Sequence, residues 1–147
     1  LMTLVSDLGV PLCTTEKPLA TEVRDWRKLI ELERTSATKF GVCHQLRWQT
    51  HLMKCQEALS SGRLGKVLFL DISAGMNIAG QGTHTLNYGR SLMGDVPVAR
   101  IFANAHGWDA ADPGHPGPAA SEANLIFANG ARGLWTSGFV SPRCGDS

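Results

Sequence analysis

The sequence predicts an α/β fold in two parts: a parallel strand–helix–strand unit, then a larger part of helices and mainly antiparallel strands. Three observations carry this expectation. Between Val10 and His44 a short apolar run, an amphipathic stretch and a second short apolar run follow one another, an order that implies a parallel sheet. Lys66 to Ser73 and Val98 to Ala105 then alternate apolar and polar residues, as half-buried strands do. Finally, Asn129-Gly130 stands between Leu125-Ile126-Phe127 and Leu134-Trp135, which predicts a two-residue hairpin with both turn positions at positive φ.

Element by element, Leu1 to Leu8 reads as the tail of an amphipathic helix ending at Gly9. Val10 to Thr15 suits a buried parallel strand with Pro11 at its start. Thr21 is the expected N-cap of a helix from about Glu22 to Ala37, with Val23, Trp26, Leu29 and Ile30 on one stripe. Lys39 to His44 is the second strand. Leu52, Cys55, Ala58 and Leu59 mark a further helix from Gln49 to Ser60, stopped near Gly62. Thr83 is the expected cap of a helix carrying Leu86, Leu92 and Met93 and ending at Gly94. Gly107 to Ala120, rich in Pro, Gly and Asp, is expected to be a surface loop. The pattern changes near Gln45 to Trp48, which places a domain boundary between residues 46 and 47.

Composition narrows the function classes. With 147 residues, 43% hydrophobic and 18% charged, the chain has enough apolar surface to offset the ordering of a globular domain. A net charge of +1, spread without a basic stripe, gives no electrostatic footprint for nucleic acid or an anionic membrane. No apolar run reaches the roughly 18 residues of a membrane-spanning helix, so a cytoplasmic location is the expectation. Cys13, Cys43, Cys55 and Cys144 form no C-x-x-C pair and read as buried free thiols.

Two side chains stand out as candidates for chemistry. Lys17, within Glu16-Lys17-Pro18, follows the carboxyl end of a predicted parallel strand, where open α/β sheets bind ligands. Pro18 biases Lys17 toward extended backbone. His84 lies in Gly80-Gln81-Gly82-Thr83-His84-Thr85-Leu86-Asn87, where the glycines permit close backbone approach. A helix amino terminus there would disfavour positive charge and keep the imidazole neutral, as a general base requires. Neither residue type in isolation is specific: a lysine in a turn is usually solvated, and a histidine in a first helical turn is usually structural. His106, Asp109, Asp112 and His115 match no metal-ligand frame, so no metal is expected. Trp26, Trp48, Trp108 and Trp135 read as core or interface residues. A nucleophile elbow, a Walker loop and a G-x-G-x-x-G turn are all missing from the sequence.

Taken in order, four segments resemble the Gfo/Idh/MocA family, named for glucose-fructose oxidoreductase, inositol dehydrogenase and a rhizopine-catabolism protein. Cys13-Thr14-Thr15-Glu16-Lys17-Pro18-Leu19-Ala20 is similar to the family's strand and E-K-P segment. Gln45-Leu46-Arg47-Trp48 resembles its polar-x-Arg-aromatic junction, and Ser61 to Val67 resembles the entry into the second domain's sheet. Gly82 to Asn87, followed by Leu92-Met93-Gly94, is similar to its "G-x-H-x-x-D … L-x-G" helix.

The resemblance implies the carboxy-terminal part of a Rossmann domain over residues 1–46. Residues 47–147 would be an incomplete, mainly antiparallel α/β domain for substrate binding and oligomerisation. It further implies hydride transfer between NAD or NADP and a sugar, polyol or related alcohol, with Lys17 and His84 catalytic. Glu16, Lys17, Pro18, Gln45 and Arg47 would lie against the cofactor, and Lys17, Gln81, His84 and Asn87 against the substrate. A homo-oligomer is implied for the full-length parent. Gly80 stands where the family often has Asp, and Asn87 where Asp is common. The family's glycine-rich phosphate loop would precede Leu1, so the chain alone is expected to bind NAD(P) weakly or not at all. A catalytically inactive remnant or binding protein that kept the fold is the alternative, and a metal-dependent lyase or hydrolase a weaker third.

Overall fold

The computed structural model describes residues 1–108 and 114–138. It divides into two compact units, Leu1–His44 and Gln45–Ser147. Fold class is mixed α/β, a small parallel sheet plus a mainly antiparallel four-stranded one.

The first unit contains α1 (Met2–Asp7), β1 (Leu12–Thr15), α2 (Val23–Thr35) and β2 (Lys39–Val42). β1 and β2 pair in parallel, Leu12 opposite Lys39 and Thr15 opposite Val42, as the strand–helix–strand order predicts. Glu22, one residue later than expected, occupies the cap position of α2, and no side chain bonds there. The apolar stripe of α2 is largely open to solvent, with Val23 65% and Trp26 51% exposed. Cys13 and Cys43 are only half-buried and Cys55 is exposed, which corrects the expectation of buried thiols; Cys144 lies outside the described residues. Cys13 and Cys43 stand in or beside two four-residue strands that enclose too little volume to sequester them, and Cys55 is exposed on the later helix Thr50–Ser60.

The second unit begins with a 3₁₀ turn (Gln45–Trp48) and α3 (Thr50–Ser60). Next come β3 (Phe69–Ala74), a π-turn (Ile78–Gly82) running into α4 (Thr83–Leu92), and β4 (Val98–His106), β5 (Ala120–Phe127) and β6 (Arg132–Gly138). Strand order is β3-β6-β5-β4. β6 pairs antiparallel with β5 and parallel with β3. On the covered face Leu70, Gly133 and Leu125 align, then Ile72, Trp135 and Ala123. α4 lies close on this face because Gly82 and Gly89 lack side chains. A Cβ on Gly82 would stand 2.7 Å from Trp135 Cζ2, and one on Gly89 2.1 Å from Ile72 Cδ1. The core is Ile72, Met93, Ala123, Leu125, Phe127, Ala131 and Trp135.

Two expectations need correction here. The β5–β6 connection is a hairpin, but Gly130 alone takes positive φ, at 86°. Gly130 N–H donates to Phe127 O at 2.9 Å, Phe127 N–H to Ala131 O at 2.9 Å. That is the three-residue loop in which a glycine bulge follows an ordinary turn; Asn129 needs no left-handed backbone because its Oδ1 accepts from Ala131 N–H at 3.1 Å. Second, the segment after the described break is no mere surface loop: Ala119 and Ala120 are buried, and Asn77 Nδ2 donates to His115 O at 2.8 Å. Of the four tryptophans, Trp135 is core, at 2% exposure, whereas Trp48 and Trp108 are more than two-thirds exposed.

Candidate active site

Glu16, Lys17 and Pro18 belong to the first unit. They follow directly on β1, at the carboxyl end of the parallel pair, with Glu16 exposed and Lys17 and Pro18 half-buried. The Lys17–Pro18 peptide is cis. Beside them, Cys43 N–H donates to Thr15 O at 2.8 Å, so the ladder extends one bond beyond the strands and fixes the direction in which the chain leaves β1.

Gln45, Arg47, Gln81, His84 and Asn87 belong to the second unit, where the 3₁₀ turn packs against α4. His84 is 5% exposed. Its helical context differs from the expectation. Thr83 does not cap a helix: Gly82 before it has helical φ and ψ, and the run begins at Ile78 with Asn77 as its cap. Asn77 is fully buried, and its Oδ1 accepts from Gly80 N–H at 2.9 Å. His84 is therefore the seventh residue of a continuous helical run, beyond the first turn where the helix dipole acts on charge. The argument that a helix terminus holds its imidazole neutral does not apply.

Around the helix, at about 100° per residue, Gly82, Thr85, Leu86, Gly89 and Met93 form the stripe toward the sheet. His84, Asn87 and Ser91 fall on the opposite side. There Gln56 Nε2 donates to Ser91 Oγ at 2.6 Å, tying α3 to α4. Asn87 Oδ1 is buried with no hydrogen-bond partner among the described residues. Gln81 is exposed. Burial pushes the Tyr88 phenol above its ordinary pKa, which keeps it protonated.

Arg47 forms an ion pair within the second unit. Its Nη1 donates to Asp95 Oδ1 at 3.1 Å and its Nη2 to Asp95 Oδ2, a bidentate fork onto the turn after α4, and its Cζ stands 5.9 Å from the Trp48 ring centroid. The carboxylate is presented by a left-handed turn, Gly94 at φ 68° and Asp95 at φ 56°. The Arg47 hydrogen bonds pull the Asp95 carboxyl below its ordinary 3.8, partial burial opposes this, and the charges of Arg47 and Arg90 add to it. A depressed carboxylate contributes stability that is complete above its ordinary pKa and disappears as pH falls through the lowered one. Acid unfolding of Asp95→Asn should therefore lack part of the loss seen in the parent below pH 3.8. A double-mutant cycle of Arg47→Ala with Asp95→Ala should give a coupling of about 0.5–1 kcal/mol, read from urea melts; purely additive effects would contradict the pairing.

An open cleft of about 1220 Å³ lies at the other end of α4, lined in part by Lys54, Glu57, Lys66, Met93 and Asp95. His84 does not border it. Among the described residues no group of three or more His, Cys, Asp or Glu is placed to hold a metal ion; Asp109 and Asp112 lie outside them. Nor is any described helix long and apolar enough to cross a membrane.

With this geometry in hand, the chain can be set against known proteins. No protein-family model matches the sequence, and no curated protein matches it. Solved structures do. An oxidoreductase from Pseudomonas syringae superimposes with a TM-score of 0.76 at 19% identity, over 93% of this chain and 39% of that one. An oxidoreductase from Agrobacterium radiobacter, in complex with NAD+, L-tartaric acid and magnesium, gives 0.73 at 20% identity, over 98% and 45%. An oxidoreductase from Thermotoga maritima gives 0.68 at 22% identity, over 89% and 46%. The chain has the fold of the Gfo/Idh/MocA-type oxidoreductases. It spans less than half the length of each of these three structures.

The sequence pattern did not reveal the parts that Asn77 and Thr85 play, nor that Gly82 and Trp135 meet where α4 lies. A signal existed for one of them: Asn77 is a good cap residue three positions before Gly80.

Proposed function

We propose that this sequence is part of an NAD(P)-dependent oxidoreductase that transfers hydride between the nicotinamide and a sugar, polyol or related alcohol. In this reading residues 1–46 complete a Rossmann domain, residues 47–147 form part of the substrate domain, and the enzyme is cytoplasmic. The observation that carries it is the match of nearly the whole chain to solved oxidoreductases, with Lys17 at the carboxyl end of β1 and His84 buried on α4.

The residues present fit one end of the cofactor. The carboxyl ends of parallel strands are where open α/β sheets receive a dinucleotide, and Glu16, Lys17, Pro18 and Gln45 would hold the nicotinamide side. Arg47, paired with Asp95, would lie beside them. The pyrophosphate requires a glycine-rich turn at a helix amino terminus, and the sequence contains none. Bound NAD(P) would supply the two-electron acceptor or donor. Within this chain, Lys17 would donate a hydrogen bond to the reacting hydroxyl and stabilise negative charge developing on its oxygen. His84 would accept the hydroxyl proton. Asn87, with its unpartnered buried oxygen, and Gln81 would receive further hydroxyl donors.

Homo-oligomerisation is part of the proposal. The sheet face away from α4 carries Phe69 and Phe102, 57% and 62% exposed, aligned across the strands with Arg132 and with Leu134 and Asn124 respectively. Apolar exposure of this kind is usual at an association surface.

The test is NAD(P)-linked oxidation of a sugar and polyol panel, followed by nicotinamide absorbance. It should be run on the 147-residue chain and on the longest natural polypeptide containing it. Turnover by the longer polypeptide, with weak cofactor binding by the shorter, is expected. No cofactor binding by the longer polypeptide would favour the inactive remnant.

A further inference from the structure

We infer that Trp135 and Thr85 are positioning residues that set the rotational phase of α4 and so the direction in which His84 projects. The inference rests on the reading of His84 as the proton acceptor, and its geometry is confined to the second unit.

The helical run contains one residue more than a regular helix would place there. Asn77 O accepts from Gln81 N–H at 3.1 Å and from Gly82 N–H at 3.2 Å, the latter a π-type bond. Inserting one residue advances every later side chain by about 100° around the axis. Two phases are thus open to Thr83–Leu92, one with the π-turn and one without, and they aim His84 in different directions. Something outside the helix must select between them.

Apolar packing selects weakly, because it is non-directional. The glycine contacts at Gly82 and Gly89 set how close α4 comes to the sheet. They also disfavour the other phase, which would bring a Cβ into those contacts, and so act together with a directional element. The directional element is a relay of two hydrogen bonds. Trp135 Nε1–H donates to Thr85 Oγ1 at 2.8 Å, and Thr85 O–H donates to Gly82 O at 2.9 Å. Both side chains are buried, Trp135 at 2% and Thr85 at 5% exposure. The indole donor has no water to fall back on if α4 turns, so the wrong phase leaves it unsatisfied, a costly state in an apolar core. Trp135 is held by a central strand, β6, paired on both sides. The relay also ends on Gly82, the last residue of the π-turn itself. Thr85 and His84 are adjacent, so fixing one fixes the other.

Thr85→Val keeps the shape and removes the acceptor; Thr85→Ser keeps the acceptor; Trp135→Phe removes the donor. The readouts are the Trp135 indole N–H resonance, the His84 imidazole resonances and their pH titration by NMR, and kcat against KM where turnover is measured. In Thr85→Val and Trp135→Phe the His84 resonances and titration midpoint should move. Turnover should fall roughly ten- to hundredfold in kcat, with KM little changed. Thr85→Ser should retain the parent values. An unmoved His84 in folded Thr85→Val, or in Trp135→Phe if the valine variant does not fold, overturns the inference, as does a Thr85→Ser variant that behaves like valine. Movement of His84 without any NAD(P)-linked turnover would sink the oxidoreductase reading and leave the positioning relation standing.

Discussion

Trp135→Ala should remove a large part of the stability of the second unit. Trp135 is 2% exposed, sits in the main apolar cluster, touches the backbone of Gly82 and donates to Thr85. Truncating a buried tryptophan costs about 3–5 kcal/mol through lost burial and the cavity that remains. A domain of this size has on the order of 5–10 kcal/mol in total. The expected fall in melting temperature, roughly 15–30 °C, can be read by circular dichroism in parallel with Trp135→Phe. The phenylalanine variant keeps most of the apolar volume and loses the N–H donor, so it should fall by much less. Equal losses in the two variants would show that the hydrogen bond, and not the volume, dominates.

The second large effect is on turnover. His84→Ala should lower kcat by roughly 10²–10⁴-fold, the usual contribution of a positioned general base. Cofactor affinity should be nearly unchanged, because the residues assigned to the nicotinamide side lie on other segments. Stability should change less than in Trp135→Ala, since His84 lies on the side of α4 away from the sheet. Exogenous imidazole offers a second reading: partial recovery of kcat in His84→Ala is expected if the lost group is the proton acceptor. Unchanged turnover in His84→Ala would refute the role.

What could be read from the sequence divides along physical lines. Local periodicity located β1 to β4 and α1 to α4 to within a few positions, because alternation and helical stripes are properties of neighbouring residues; the Asn129-Gly130 signal implied the β5–β6 pair, and the 3₁₀ turn and the π-turn were not anticipated. The parallel pairing of β1 with β2 followed from element order. The start of the α4 run was misplaced because a π-turn has no compositional signature, and threonine at position 83 is itself a good cap residue. The hairpin loop was misjudged by one residue, since Asn-Gly serves a three-residue turn as well as a two-residue one. Contacts between distant residues were out of reach. Arg47 meets Asp95 across 48 positions and Trp135 meets Thr85 across 50, and no pattern within either segment announces the other. For that reason the clasp that Arg47 makes between the 3₁₀ turn and the end of α4 was not anticipated.

The central claim is that Lys17 and His84 serve one reaction. It is measured by NAD(P)-linked turnover of the longest natural polypeptide containing this sequence, with Lys17→Met, His84→Ala and the double variant compared under the same conditions. Residues that act as a unit have strongly non-additive effects, so the predicted result is a double variant about as slow as the slower single one. Losses that multiply in the double variant, or full turnover in either single one, would contradict the account.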